Sequence, residues 1–414
     1  MNVFGVFMWF LGASSFLMQY ICRVAVSVMH TPLMHSLSVN ASELGQIAAG
    51  FYYPYLVMQL FVGRIVDRYA AHKVLIITSV LFLMGNQWFS EAHSMSSALF
   101  ARGLQGIAGA FTFVVTMKLA MAWLDRRYLA TFAALTQVMG MLGAALGSGL
   151  VSLLLVNYEW RGVLKLLSMA TLALIVFMLI FLQSQHEEQP VNDVSLLAGL
   201  KKVMSNTQTW YNALYAGLIY LPTAAFGEFW GVDYLTHTNS VISEHEASIA
   251  VSMIFIGWAI GGVCTGFLSD YLGQRRQIMM TSSVLSLLFI LPVLYINSLS
   301  AMGIYTCLML YGMSNTGLVL AYAKAGEING DDVSGVSIAF CNMWSILCGT
   351  IAMPAIGFVL DLSWKGQLDS GIRVYEVSAY TNAVALFPLA LLLSFLAAYQ
   401  LNETLTTLPQ KKGL

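Results

Sequence analysis

The chain has 414 residues, of which 58% are hydrophobic and 9% charged, with a mean hydropathy of +0.74, whereas a soluble domain carries roughly a quarter charged residues; a water-soluble globule is excluded. Nineteen basic and 20 acidic side chains leave a net charge of -1 and no basic face for nucleic acid. Twelve spans of about 21 residues consume roughly 250 positions, which leaves connections of ordinary length and no room for a sizeable extramembrane domain.

The N-terminal MNVFGVFMWF has no basic residue before its apolar run and no small-residue cleavage pattern, so it predicts an uncleaved first span at 4–29. Apolar stretches punctuated by polar turns predict spans 2 to 6 at 44–64, 74–90, 96–122, 131–156 and 162–182. The polar stretch that follows, with Pro190, reads as a linker over 183–208. Spans 7 to 12 are predicted at 209–235, 247–269, 277–296, 300–322, 334–360 and 379–400, with a tail over 403–414. The expected fold class is all-α integral membrane, with twelve transmembrane helices in two pseudo-symmetric six-helix bundles, 1–182 and 209–402.

With both termini cytoplasmic, the inside connections hold Arg64, Arg68, Lys73, Arg126, Arg127, Lys201, Lys202, Arg275, Arg276, Lys324, Lys411 and Lys412, and the outside ones hold Arg161, Lys365 and Arg373. That asymmetry sets the orientation by the positive-inside rule.

The connection after span 2 runs Gly63-Arg-Ile-Val-Asp67-Arg68 and on to Lys73; after span 8, Gly266 and Asp270 recur at the same offset of 203 residues. A repeat at half the chain length, six spans in each copy, is the sequence sign of a two-bundle transporter. This G-x-x-x-D-R-x-x-x-x-K connection resembles the signature of the major facilitator superfamily. Arg102-Gly-Leu-Gln105-Gly106 is similar to its R-x-x-Q-G, and Trp160-Arg161 is similar to its W-R junction. The stretches Tyr52-Tyr53-Pro54-Tyr55 and Glu228 to Leu235 look like bacterial members, reminiscent of nutrient porters of intracellular bacteria. The resemblance implies a conformational latch at Gly63, Asp67 and Arg68, with a degenerate copy at Gly266 and Asp270. Physically, Gly63 admits a close helix approach and an aspartate can accept N–H groups at a helix N-terminus; the plainer reading is that the basic residues only set topology.

Charges deep in a bilayer cost several kcal/mol and need a use. Four qualify: Arg23, Arg102, Lys118 and Glu228. Lys118 falls roughly 14 Å inward of the middle of span 4, within reach of the cytoplasmic interface by snorkelling. Arg23, Arg102 and Glu228 fall in one layer, roughly 10 Å from the midplane. Spans 1 and 7 are repeat equivalents, so Arg23 and Glu228 are expected to face each other. An arginine fork suits a substrate carboxylate. Burial pulls a glutamate at that depth toward its neutral form and an arginine pulls it toward its charged form, so Glu228 can carry a coupling proton, with Arg102 as a second proton-coupling candidate. The competing reading is a structural ion pair. Tyr20, one turn from Arg23, the stripe Tyr52, Tyr55 and Gln59, the residue Asn342 with Ser345 and Gly349, and Asn315 complete the substrate-binding candidates. Pro222 removes a backbone hydrogen bond just before Glu228 and predicts a kink there.

The seven histidines show no zinc-like spacing or partnered nucleophile, the five cysteines lie in apolar runs, and no phosphate-binding loop is present. No enzymatic activity, cofactor or metal is expected. The reading is an alternating-access secondary transporter, a monomer that imports a small carboxylate-bearing nutrient (amino acid, short peptide or organic acid) with protons. Its rivals are efflux of an amphiphilic drug or siderophore-like molecule, and a non-transporting receptor or assembly subunit; the resemblance implies a proline in the span 5 glycine run of drug-efflux antiporters, and the run Gly140, Gly143, Gly147 and Gly149 has none, which disfavours efflux.

Overall fold

The computed structural model describes residues 3–125, 128–183, 196–330, 333–369 and 371–403, with the side chains of Asp67, Ala130, Leu196, Leu197, Ala198 and Asp270 outside the described set. Span 1 is α1 (Val3–Ala25), which a 3-10 turn at Val26–Val28 leads into the short α2 (His30–Leu37). Span 2 is two helices, α3 (Ala41–Ala49) and α4 (Tyr52–Arg68). Spans 3 to 6 are α5 (Ala71–Ser90), α6 (Met95–Trp123), α7 (Leu129–Leu155) and α8 (Trp160–Phe181). The expected linker contains a helix, α9 (Leu196–Met204), which packs Leu200 and Val203 near Val333 and Phe340.

Span 7 has three parts: α10 (Thr207–Pro222), a π-helical stretch Thr223–Trp230, and α11 (Gly231–Thr238). Spans 8 and 9 are α12 (Glu244–Leu272) and α13 (Arg275–Tyr295). Span 10 is split into α14 (Ala301–Ser314) and α15 (Gly317–Ile328), span 11 is α16 (Ser334–Leu362), and span 12 is split into α17 (Val377–Val384) and α18 (Leu386–Tyr399). Among the described residues, ten helical stretches are long and apolar enough to cross a membrane. The other two spans of the twelve, 2 and 7, are helical in pieces. Outward-facing apolar residues such as Met169, Leu172, Phe177 and Ile180 on α8 are 50–67% exposed, an arrangement that a hydrocarbon solvent allows and water does not.

The breaks in spans 2, 7 and 12 have local causes. Pro54 and Pro388 offer no N–H to the carbonyls four residues back, at Gly50 and Val384, and the helix restarts at each point. The expected kink at Pro222 takes the form of the π stretch, where i→i+5 bonding widens the turn. One departure from an all-helical chain lies between spans 11 and 12, where the strands β1 (Leu368–Asp369) and β2 (Ile372–Arg373) pair antiparallel. Gly371, at φ +86°, supplies the left-handed residue their turn requires.

The glycine run of span 5 does what close spacing predicts. A Cβ at Gly147 would stand 2.6 Å from the Ile21 carbonyl oxygen, and one at Gly143 would overlap that of Leu17. α1 therefore lies backbone to backbone on α7, which fixes the face that Tyr20 and Arg23 present.

The two six-span halves meet where α3 begins. Gly45 sits against the backbone of Met353, and Gly357 against that of Ala41. The Ser148 hydroxyl donates to Ser248 O and the Ser252 hydroxyl to Ala145 O, both at 2.9 Å, which joins α7 to α12. At the opposite end, a Cβ added at Gly63 or Gly266 would meet nothing within 4 Å.

Lys324 differs from its expected place in a connection. α15 runs beyond the apolar stretch to Ile328, so Lys324 lies within it, fully buried, with Nζ donating to Asn402 O after α18. That carbonyl supplies the acceptor a buried ammonium needs.

Candidate functional site

α1 and the π stretch of span 7 bring Arg23 and Glu228 together. Arg23 Nη2 donates to Glu228 Oε1 at 2.6 Å, with both side chains buried. The carboxylate takes two further donors: the Tyr220 hydroxyl donates to Oε1 at 2.7 Å, and the Tyr52 hydroxyl donates to Oε2. The Arg23 guanidinium lies over the Tyr20 ring, 3.8 Å from its centroid, with the Tyr52 ring at 5.6 Å. An aromatic face is a favourable neighbour for a desolvated cation. Among the described residues, Arg23 Nε has no hydrogen-bond partner. The pair joins the two halves, and each half contributes a tyrosine to Glu228.

A hydrogen-bonded group of the second half lies beside it: Asn342 Oδ1 on α16 accepts from the Tyr322 hydroxyl at 3.1 Å, and that hydroxyl is 3.0 Å from Ser345 Oγ. Tyr20, Arg23, Tyr52, Tyr220 and Glu228 thus converge.

Three candidates are placed differently. Gln59, farther along α4, is half-buried and forms no hydrogen bond to a described residue. Asn315, at the break between α14 and α15, has both ends of its amide engaged within the second half: Nδ2 donates to Ile219 O at 2.8 Å, and Oδ1 accepts from Thr223 Oγ1 at 2.9 Å. It pins span 10 to span 7 just before the π stretch. Arg102 faces the interior of the first half, where Nη1 donates to Gln105 Oε1 at 2.8 Å and the guanidinium lies 5.3 Å from the Phe51 ring centroid. Gln105 continues to Asn86, which donates to Leu164 O and Ser168 Oγ and so ties spans 3, 4 and 6 together.

Of the latch candidates, the Asp67 and Asp270 side chains lie outside the described residues. Arg68 is exposed, with its guanidinium 5.8 Å from the Tyr69 ring centroid. Lys118 donates to Val66 O and, at 3.2 Å, to Tyr69 O. It therefore reaches the carbonyls at the C-terminus of α4, where positive charge is favoured.

Sequence reasoning missed two groups. Tyr220 precedes Glu228 by eight residues, roughly 12 Å along an ordinary helix, and no periodicity pairs such positions; the π stretch between them brings the hydroxyl to the carboxylate. Asp233 was also missed as a second buried acid of span 7. Its side chain is 10% exposed, 3.6 Å from His30 Nδ1, and accepts from the Tyr380 hydroxyl at 2.9 Å. The signal available was its position five residues after Glu228, inside the predicted span.

A family model described as Major Facilitator Superfamily matches residues 8–238, more than half of the chain. The chain belongs to that superfamily. Across 273 residues it is 20% identical to the probable sulfoacetate transporter SauU of Cupriavidus necator, over 63% of this chain and 64%, just under two thirds, of that protein. It is 20% identical to the hexuronate transporter of Bacillus subtilis, over 88% of this chain and 91% of that one. To the membrane sensor protein UhpC of Escherichia coli it is 23% identical, over 89% and 88% respectively. The fold matches that of a bacterial homologue of the human lysosomal transporter Spinster in an inward-facing, unoccupied conformation, with a TM-score of 0.75 and 11% identity over 96% of this chain and 98% of that one. Superfamily membership makes this a multi-pass membrane protein of a transporter family rather than an enzyme. In this superfamily member, six spans precede the linker and six follow it, and the buried charge pair sits where spans 1 and 7 meet.

Proposed function

We propose that the protein is a secondary active transporter that imports a small carboxylate-bearing anion together with a proton, by alternating access. The bodies that rock are 1–182 and 209–402, joined by the linker 183–208; the tail 403–414 and both termini are cytoplasmic, and the protein works as a monomer in a bacterial inner membrane. The observation that carries the reading is the buried Arg23–Glu228 pair, held between halves and capped by one tyrosine from each.

The exchange follows from charge. A substrate carboxylate competes with Glu228 for the arginine fork, which binds planar oxyanions bidentately. Once displaced, Glu228 is an unpaired carboxylate in a low-dielectric layer, a state that proton uptake relieves. Substrate and proton therefore enter the same layer together, and when the substrate leaves, Glu228 gives up its proton and pairs with Arg23 again. Tyr20, Tyr52, Tyr55, Tyr220 and Asn342 surround the exchange. The names of two relatives support the anion class, since sulfoacetate and hexuronate both carry a carboxylate.

A second reading, a sensor that binds an anion without moving it, is favoured by the name of the UhpC relative. Proteoliposomes loaded and diluted to impose a pH gradient separate the two. The expected result is accumulation of a labelled organic anion that collapses with a protonophore. In Glu228→Gln, which mimics the protonated state, exchange of substrate for substrate survives and uphill accumulation disappears. Binding without accumulation supports the sensor. Extrusion supports efflux, and a Glu228→Gln protein that still concentrates substrate with the wild-type pH response removes the coupling assignment.

A further inference from the structure

Asp361 stands in the last turn of α16, where the negative end of the helix dipole disfavours a carboxylate. Its surroundings offset that cost. Oδ1 accepts from Arg373 Nη1 at 3.0 Å and from the Tyr375 hydroxyl at 2.6 Å. Both donors belong to the second half of the chain, Arg373 in β2 and Tyr375 just beyond it. Oδ2 crosses to the first half and accepts from Ser42 N at 2.9 Å. The Tyr375 hydroxyl also crosses, accepting from Ala41 N at 3.3 Å.

Ala41 and Ser42 are the first two residues of α3. N–H groups in a helix's first turn have no intrahelical acceptor. Asn40 caps the N–H of Glu43, and the other two are taken by side chains from the opposite half. Beneath them, Gly357 and Gly45 let α3 and α16 touch through backbone. Asp361 and Tyr375 therefore form an acceptor pair, assembled on one half, that receives the N-terminus of a helix from the other.

We propose that Asp361, with Tyr375, is a positioning residue that holds the α3 end shut and so sets the side from which the Arg23–Glu228 layer is reached. It is the counterpart, at the opposite end of the molecule, of the aspartate latch that the Gly63-to-Lys73 connection implies. Arg373 and Tyr375 move with Asp361 when that end opens, whereas the Ser42 and Ala41 bonds must break. The closed form thus loses stability selectively when Asp361 is removed. The inference rests on the alternating-access part of the proposed function and is independent of substrate and proton.

The test measures distances between spin labels at His35→Cys and Gln367→Cys, both exposed positions near this end on opposite halves, in a background lacking the exposed Cys264. No substrate or pH gradient is used, so failure of the transport reading leaves the result unaffected. Asp361→Ala is expected to raise the ratio of long to short distances roughly tenfold, the weight of a charge-assisted hydrogen bond. Tyr375→Phe should shift it in the same direction by less. Glu376→Gln removes a nearby carboxylate that pairs with Lys365 within the same half and should leave the distribution unchanged. An unchanged distribution in Asp361→Ala overturns the proposal, as does an equal shift in Glu376→Gln. If Asp361→Ala fails to fold, Tyr375→Phe decides: a shift supports the latch and none overturns it.

Discussion

Arg23 and Glu228 are 205 residues apart in the chain and 2.6 Å apart in the fold. Each comes from the first span of its half, so one buried contact ties the two halves together. A buried ion pair is weak evidence for stability, because desolvation offsets most of the attraction. Its consequence is greater for exchange: the partner of a buried arginine can be replaced only by another anion.

Arg23→Lys keeps the charge and loses the planar fork. Anion binding measured by isothermal titration is expected to weaken by roughly 10- to 100-fold, the loss of one or two charge-assisted hydrogen bonds. Wild-type affinity in this variant would mean that Arg23 does not hold the substrate carboxylate.

Tyr220→Phe removes a hydrogen-bond donor to the Glu228 carboxylate that Arg23 pairs with. If substrate enters by displacing that carboxylate, the variant competes less well with substrate, and apparent affinity should tighten by up to roughly tenfold. Direct contact between Tyr220 and substrate predicts the opposite sign, so a binding isotherm separates them.

Gly147→Leu forces a side chain into the space held by the Ile21 carbonyl. Overpacking of this kind costs about 1–3 kcal/mol. The thermal unfolding temperature of the purified protein in detergent should fall, and transport with it, since α1 carries Arg23. An unchanged transition would show that α1 and α7 can separate freely.

Asp67→Asn addresses the latch implied by the superfamily signature. Binding is expected to survive and turnover to slow, because the Arg23–Glu228 layer is untouched while the closed form of the Gly63 end is weakened. Normal turnover at equal protein levels would remove that role.

The sequence by itself determined the solvent, the number of spans, the repeat and the residues too costly to bury without purpose. These are legible because hydropathy, a fixed offset of 203 residues and the desolvation of a charge need no knowledge of the fold. They were enough to set Arg23 opposite Glu228 and to gather Tyr20 and Tyr52 near them. Tertiary structure decided the partners. Whether Tyr220 reaches Glu228 depends on a π stretch after Pro222, Asn315 and Arg102 are claimed by neighbouring spans, and Asp361 finds α3 only once the two halves have closed. A side chain's charge and depth are local properties of the chain; the atom that meets it is set by how helices distant in sequence rotate and dock, and no local pattern encodes that rotation.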